Sequence, residues 1–135
     1  MFKKKRLAII VAVITALFAI ALFAACGSKE VKDVKIVVIA ADGETLVSIE
    51  ARDYGSKIVI DILTENNEKL QIPQAQLEAG FITTVAGITA VWGDPGSEWW
   101  WRFEVNGAQA PLGIRDMRVG NGAVISFKLV EGWSE

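Results

Sequence analysis

The stretch Trp99-Trp100-Trp101-Arg102-Phe103-Glu104-Val105-Asn106-Gly107 decides the predicted fold. Apolar and polar residues alternate from Trp101 onward, which is typical of a β-strand, and Asn-Gly is a strong turn dipeptide. Alternation places the odd-numbered side chains from Trp99 to Val105 on one face, which we assign to the core. Trp100, Arg102 and Glu104 share the other face, so Trp100 is an aromatic residue on an otherwise polar surface.

Further elements follow outward from this strand. Residues 34–40 and 45–51 are rich in β-branched or alternating residues around a turn at 41–44, so they predict a hairpin. Residues 123–130 predict the last strand, and residues 81–86 predict another. Residues 58–63 are ambiguous, because a β-branched run favours a strand while the apolar spacing i, i+3, i+4 fits a helix.

The N-terminal segment predicts where the protein resides. Lys3-Lys4-Lys5-Arg6 precedes an apolar run over residues 7–23 and then Ala24-Ala25-Cys26. A basic start, an apolar run and small residues before a cysteine are typical of a bacterial lipoprotein signal. We expect cleavage before Cys26, the chain's one cysteine, and its attachment to lipid. The alternative is an uncleaved transmembrane anchor, and in both cases the remainder is membrane-tethered on the extracytoplasmic face.

Composition excludes several function classes. The whole chain has 14 basic and 16 acidic residues. Removal of the four basic residues of the signal leaves ten basic residues, so the exported part has a formal charge of −6. Nucleic acid is therefore not an expected partner. The chain has no histidine, which removes serine–histidine and cysteine–histidine nucleophiles and histidine-based zinc sites. We expect no enzyme activity, no metal site and no cofactor.

Several segments of the second half resemble one known family. They are Phe81-Ile82-Thr83-Thr84-Val85-Ala86-Gly87-Ile88, Trp101-Arg102-Phe103-Glu104-Val105-Asn106-Gly107, Gly113-Ile114 and Gly120-Asn121-Gly122-Ala123-Val124-Ile125-Ser126-Phe127. These segments are similar to the bacterial domain family named after the C-terminal β-domain of transcobalamin, and the likeness extends over nearly all of residues 34–130. The resemblance implies a small α+β domain, β-grasp-like, with an N-terminal hairpin, one helix and further antiparallel strands.

The resemblance also implies that residues 56–66 form the helix, with Asp61 at the family's usual acidic position. The family usually has an aspartate where this chain has Ala123, so no role for that aspartate transfers; Asn121 could take over a turn hydrogen bond. Transcobalamin-type proteins bind cobalamin between a helical domain and this β-domain. This chain lacks the helical half, so it would offer one wall of such a site. The predicted organisation is signal peptide 1–25, polar tether 26–33 and β-grasp-like domain 34–135.

The candidate ligand contacts are three tryptophans and one arginine. Trp92 precedes a turn-rich loop, Trp100 lies on the polar face, and Arg102 could donate hydrogen bonds beside it. Trp133 lies near the C-terminus. Each has a structural alternative, since Trp100 could stack with Arg102 and Trp133 could close the end of the core.

We therefore expect a membrane-anchored, extracytoplasmic lipoprotein that binds a small molecule without catalysis. The ligand would be flat or ring-shaped, such as cobalamin, another corrinoid or a sugar ring. The alternative is a protein docking module that uses a sheet edge or the Trp92 loop to hold a cell-envelope partner. The expected partners are thus the membrane, through lipid on Cys26, and one of these two classes of molecule.

Overall fold

A computed structural model describes residues 29–93 and 96–132. Most of this part of the chain belongs to strands and short helices joined by tight turns. In chain order they are β1 (Val31–Ile39), β2 (Thr45–Tyr54), α1 (Val59–Glu65), α2 (Asn67–Leu70), α3 (Gln74–Ala79), β3 (Thr84–Val85), β4 (Ile88–Thr89), β5 (Trp99–Val105), β6 (Ala108–Gln109) and β7 (Val124–Glu131).

Five strands form one mixed sheet in the order β2-β1-β7-β5-β6, and β3 pairs with β4 in a separate two-stranded sheet. The central strand β7 and its neighbour β1 are parallel, and every other neighbouring pair in these sheets is antiparallel. The predicted N-terminal hairpin is β1–β2, and the predicted strands 99–105 and 123–130 correspond to β5 and β7. The predicted α+β class is confirmed as a small, strand-rich domain.

One face of the large sheet carries the core. Ile36 and Val38 on β1 align with Ile125 and Phe127 on β7, and all four are buried. Phe103 on β5 extends this row, because its ring stacks on Phe127 with centroids 5.6 Å apart. The helices contribute the other buried side chains of the same cluster: Val59, Ile62, Leu63, Leu70 and Leu77. Burying each such side chain contributes roughly 1.5–3 kcal/mol, which holds the helices against the sheet.

Helix α1 confirms the helical interpretation of the ambiguous β-branched segment. Its buried residues Val59, Ile62 and Leu63 have the spacing of one helix face. Asp61 accepts a 2.7 Å hydrogen bond from the Ser56 hydroxyl, which in turn accepts from the backbone N–H of Ile58 at 3.2 Å. Packing and these bonds at the helix start therefore override the strand propensity of the segment. The single helix expected here is followed by two more short helices, α2 and α3.

The prediction of a strand over residues 81–86 was wrong for most of its length. Only Thr84 and Val85 are extended, in β3. The side chain of Gln76 on α3 explains the difference, because its Oε1 accepts hydrogen bonds of 2.9 Å from the backbone N–H groups of Thr83 and Thr84. The N–H groups of Thr83 and Thr84 are thus satisfied by a helix side chain, and strand pairing is limited to the short β3–β4 ladder.

Two further sequence expectations meet different outcomes. Asn106 and Gly107 both have positive φ, +54° and +80°, as the expected two-residue hairpin turn requires, and they join β5 to β6.

Trp99 was expected in the core and is not: its side chain is 36% exposed. It lies at the first position of β5, beyond the buried row, opposite Glu131 and Val91.

Asn121 makes the turn contact that its position suggested. Its Oδ1 accepts a 2.9 Å hydrogen bond from the backbone N–H of Lys32, which ties the turn before β7 to the start of β1.

Within residues 29–93 and 96–132, no helix is long and apolar enough to cross a membrane. The predicted signal peptide, residues 1–25, and Cys26 lie outside the described residues.

Candidate functional site

An open aromatic groove of about 270 Å³ lies between the end of α3, strand β5 and the loop that follows β6. We call it the aromatic groove. Its larger apolar lining residues are Phe81, Trp92, Trp101, Phe103 and Ile114, and Gln109 adds an amide. This combination of apolar walls with few polar groups is characteristic of small-molecule sites.

The floor of the groove is held firmly. Trp101 is only 7% exposed, and its indole Nε1 donates a 2.8 Å hydrogen bond to the carbonyl oxygen of Ile88 on β4. Phe103, two residues along β5 on the same face, is fixed by its stack on Phe127. Both rings are therefore oriented before any ligand arrives, which lowers the entropy cost of binding.

The rim of the groove carries two exposed aromatic rings. Phe81 is 66% exposed and Trp92 is 48% exposed. The end of α3 sets the position of Phe81: Gly80 adopts φ +72°, its N–H bonds to Leu77 O, and the N–H of Phe81 bonds to Gln76 O at 3.2 Å. This pair of bonds is a Schellman motif, which ends the helix and directs the chain outward. An aromatic ring held in solvent in this way contributes little to the core.

The structure places the described residues among those predicted from sequence in two different locations. Trp92 and Trp100 both border the aromatic groove. The Trp100 indole Nε1 also donates a 2.8 Å hydrogen bond to the carbonyl oxygen of Gly132, so this ring connects β5 to the end of β7. Trp133 lies outside the described residues.

Arg102 is not at the groove. It lies on the opposite face of the sheet from Trp101 and Phe103, with its Nε 3.3 Å from Glu104 Oε1. Its side chain is 33% exposed and that of Glu104 is 13% exposed. Trp100 and Trp92 thus lie at the same groove, while Arg102 is held in a separate ion pair.

Phe81 and Phe103 were not among the sequence candidates. Phe81 was hidden by the wrong assignment of its segment to a strand, and Phe103 by its expected place in the core, where it is only partly buried. A usable signal was present for Phe81, since it directly follows Gly80, a common residue just past a helix end. Gln109 is placed beside β5 by the Asn106-Gly107 turn, whereas no local signal brings Ile114 to this place, because the loop after β6 folds back through tertiary contacts.

Three other hollows are larger but differ in character. One of about 590 Å³ lies beside residues 96–99, and one of about 530 Å³ is lined by Lys29, Lys57, Asp61 and Arg118 among others. A third, of about 630 Å³, lies between β2 and the α1–α2 corner, where Arg52 approaches Glu65 at 3.8 Å. Charged or small side chains dominate these three walls, so the aromatic groove has the lining best suited to a ring.

Among the described residues, no three histidine, cysteine, aspartate or glutamate side chains converge on one point. Metal ions in proteins are held by such groups, most often three or four together.

These features define a small α+β domain with a preformed aromatic groove. A family model described as "Domain of unknown function (DUF4430)" matches residues 56–131, so the chain belongs to this family. The match covers the helices, the groove and strands β3 to β7, while the β1–β2 hairpin precedes it. A search of curated proteins finds no match.

Among solved structures, the chain is similar to a protein from Ruminococcus gnavus ATCC 29149 described as a "putative metal binding protein". The TM-score is 0.56 at 26% sequence identity, over 76% of this chain and 99% of the other. The likeness supports the fold across nearly the whole of that protein. Its description is a statement about that protein alone.

Proposed function

We propose that this protein is a membrane-anchored, extracytoplasmic lipoprotein whose domain binds a single-ring ligand in the aromatic groove without catalysis. The observation that carries the proposal is the pairing of two exposed rings, Phe81 and Trp92, with a floor of two fixed rings, Trp101 and Phe103. Exposed aromatic rings gathered around one hollow mark a binding site more often than they serve stability. The predicted lipoprotein signal ending at Cys26 supports the location.

The size of the groove favours one ring. Sites for drug-sized molecules enclose roughly 300–1,000 Å³, and this groove holds about 270 Å³. A sugar ring or an aromatic ring fits that space and would lie against the faces of Phe81 and Trp92. A corrin macrocycle such as cobalamin would meet the groove along one edge, so we propose a smaller ligand in preference to a corrinoid.

The fold is compatible with this assignment. The strand order, with a parallel β1–β7 pair and helices on one face, supports the β-grasp-like fold that the transcobalamin likeness implies. The similarity to a protein described as a "putative metal binding protein" supports ligand binding in general. It does not extend to a metal here, because the described residues do not gather a suitable ligand set.

Docking of a protein partner is the second candidate function, favoured by apolar residues next to the groove. Leu112 is 52% exposed and adjoins the lining residue Gly113, and Val91, at 37%, adjoins Trp92. A partner's aromatic or aliphatic side chain could occupy the groove while its backbone covers these neighbours. The two functions share the groove and differ in the size of the contact.

The experiment is a binding titration of the full chain, purified in detergent, against neutral sugars and neutral aromatic ring compounds. Saturation-transfer NMR on the ligand reports binding, and tryptophan fluorescence reports the protein side. Phe81→Ala and Trp92→Ala should each weaken binding about tenfold, since stacking on a ring contributes on the order of 1 kcal/mol or more. Leu46→Ala is the matched control, because Leu46 is an exposed apolar residue away from the groove.

Equal binding by the parent protein and by both groove variants would contradict the groove assignment. Failure of every single-ring compound to bind, together with capture of a cell-envelope protein that Phe81→Ala abolishes, would favour the docking function instead.

A further inference from the structure

The side chain of Arg115 packs against Gly80, one of the residues that line the aromatic groove. Gly80 lines the groove, and a Cβ placed on Gly80 would be 3.0 Å from Cδ, 3.1 Å from Nε and 3.2 Å from Cγ of Arg115. The stem of Arg115 therefore packs directly on the glycine that ends α3. Arg115 also follows Gly113 and Ile114, which line the same groove.

The Arg115 guanidinium has no polar partner within residues 29–93 and 96–132. The ion pairs found there join Arg52 to Glu65 and Arg102 to Glu104. Two acidic residues neighbour this region in sequence: Glu78 on α3 accepts a 3.4 Å bond from Gln74, and Asp116 is exposed at the next position in the loop. The guanidinium of this exposed side chain therefore has its hydrogen-bond donors available to a ligand.

We propose that Arg115 makes the aromatic groove selective for ring compounds that carry a carboxylate. The proposal rests on the proposed function of the groove and adds its ligand class. The ring would stack between Phe81 and Trp92 while the carboxylate accepts two hydrogen bonds from the guanidinium. Because the exported part of the chain has a formal charge of −6, a local cation is needed to offset repulsion of an anionic ligand.

Gly80 has a second role in this arrangement. Its φ of +72° ends α3, and its lack of a side chain leaves the space that Arg115 occupies. This short turn therefore ends α3, directs the ring of Phe81 outward and leaves room for the side chain of Arg115.

The test compares two probes of the same shape, phenylacetate and its neutral amide phenylacetamide, on the full chain in detergent at low salt. The parent protein should bind phenylacetate about fivefold more tightly, as expected for a charge-assisted hydrogen bond at a partly exposed site. Arg115→Gln keeps the length of the side chain and removes its charge, so it should abolish the preference while leaving phenylacetamide binding unchanged. The preference should also shrink in 0.5 M NaCl.

Arg118→Gln is the matched control, since Arg118 is also exposed but lines a different hollow with Asp61; this variant should keep the preference. Phe81→Ala should weaken both probes equally, which tests the groove and not the charge. A parent protein that binds both probes equally, or an Arg115→Gln variant that retains the preference, overturns the role of Arg115 while the groove stands. If neither probe binds, both the role of Arg115 and the assignment of the groove are overturned.

Discussion

The indole Nε1 of Trp101 on β5 donates a 2.8 Å hydrogen bond to the carbonyl oxygen of Ile88 on β4, and this bond joins the large sheet to the small one. The same ring forms the floor of the aromatic groove. A side chain that both closes the core and supports the groove should be sensitive to small changes in shape.

Trp101→Phe should destabilise the protein by about 1–3 kcal/mol, because it removes the indole donor and leaves the Ile88 carbonyl oxygen without that partner. Trp99→Phe makes the same chemical change on the same strand face at a residue that is 36% exposed, and it should cost less than about 0.5 kcal/mol. Urea denaturation of the two variants measures the difference. Equal losses would mean that the ring of Trp101 is not the one that fills the core.

Asn66 is the most buried polar residue between the helices, at 6% exposure. Its Nδ2 donates to the Tyr54 hydroxyl at 2.9 Å and to the Ile62 carbonyl oxygen at 2.7 Å. Asn66→Ala should cost about 1–3 kcal/mol and Tyr54→Phe about 1 kcal/mol. The double variant should lose less than the sum, because both changes remove the same bond. Strictly additive losses in thermal melts would show that the two side chains are not coupled.

Ala86 adopts φ +53° in the turn between β3 and β4, a conformation that costs a non-glycine residue roughly 1–2 kcal/mol. Ala86→Gly should therefore raise the stability by about 0.5 kcal/mol after the entropy cost of glycine is subtracted. The same change at Ala75, an exposed position in α3, should lower the stability by about 0.5–1 kcal/mol. Chemical denaturation would decide between opposite signs, and a loss at both positions would contradict the left-handed geometry of Ala86.

Cys26→Ser should abolish lipid attachment, because a hydroxyl replaces the thiol that forms the thioether. Metabolic labelling with a radioactive fatty acid, followed by separation of membrane and soluble fractions, measures this directly. The domain itself should fold as in the parent, so its melting curve should be unchanged. Label that persists on the serine variant would overturn the lipoprotein proposal.

The sequence predicted the elements whose signals are local. Strand β5 was recognised from alternation and its Asn106-Gly107 turn, and β7 from a β-branched run after a glycine turn. Periodicity alone did not identify helix α1, because the segment from Ile58 to Leu63 fits both a strand pattern and a helix pattern. The hydrogen bonds of Ser56 and Asp61, together with burial of one helix face, decide in favour of the helix, and only the family likeness indicated that in advance.

Only part of the groove was predicted from the sequence, because its lining residues come from segments far apart in the chain. Trp92 and Trp100 were recognised as tryptophans without an obvious place in the core. Phe81 was missed because a single glutamine side chain, Gln76, replaces strand pairing over the next residues. Arg102 was chosen for its neighbour in sequence, whereas Arg115 was not a candidate, because its contact with Gly80 joins the loop after β6 to the end of α3.

The parallel pairing of β1 with β7 has a consequence for how the chain folds. Two of the three interior strands of the sheet, β1 and β7, come from opposite ends of the described residues, so β1 has only the β2 side to pair with until β7 is available. Contacts of such long sequence separation form late and slowly during folding. A stable domain therefore requires nearly the whole polypeptide, and a product truncated ahead of Val124 should be an unfolded substrate for proteases.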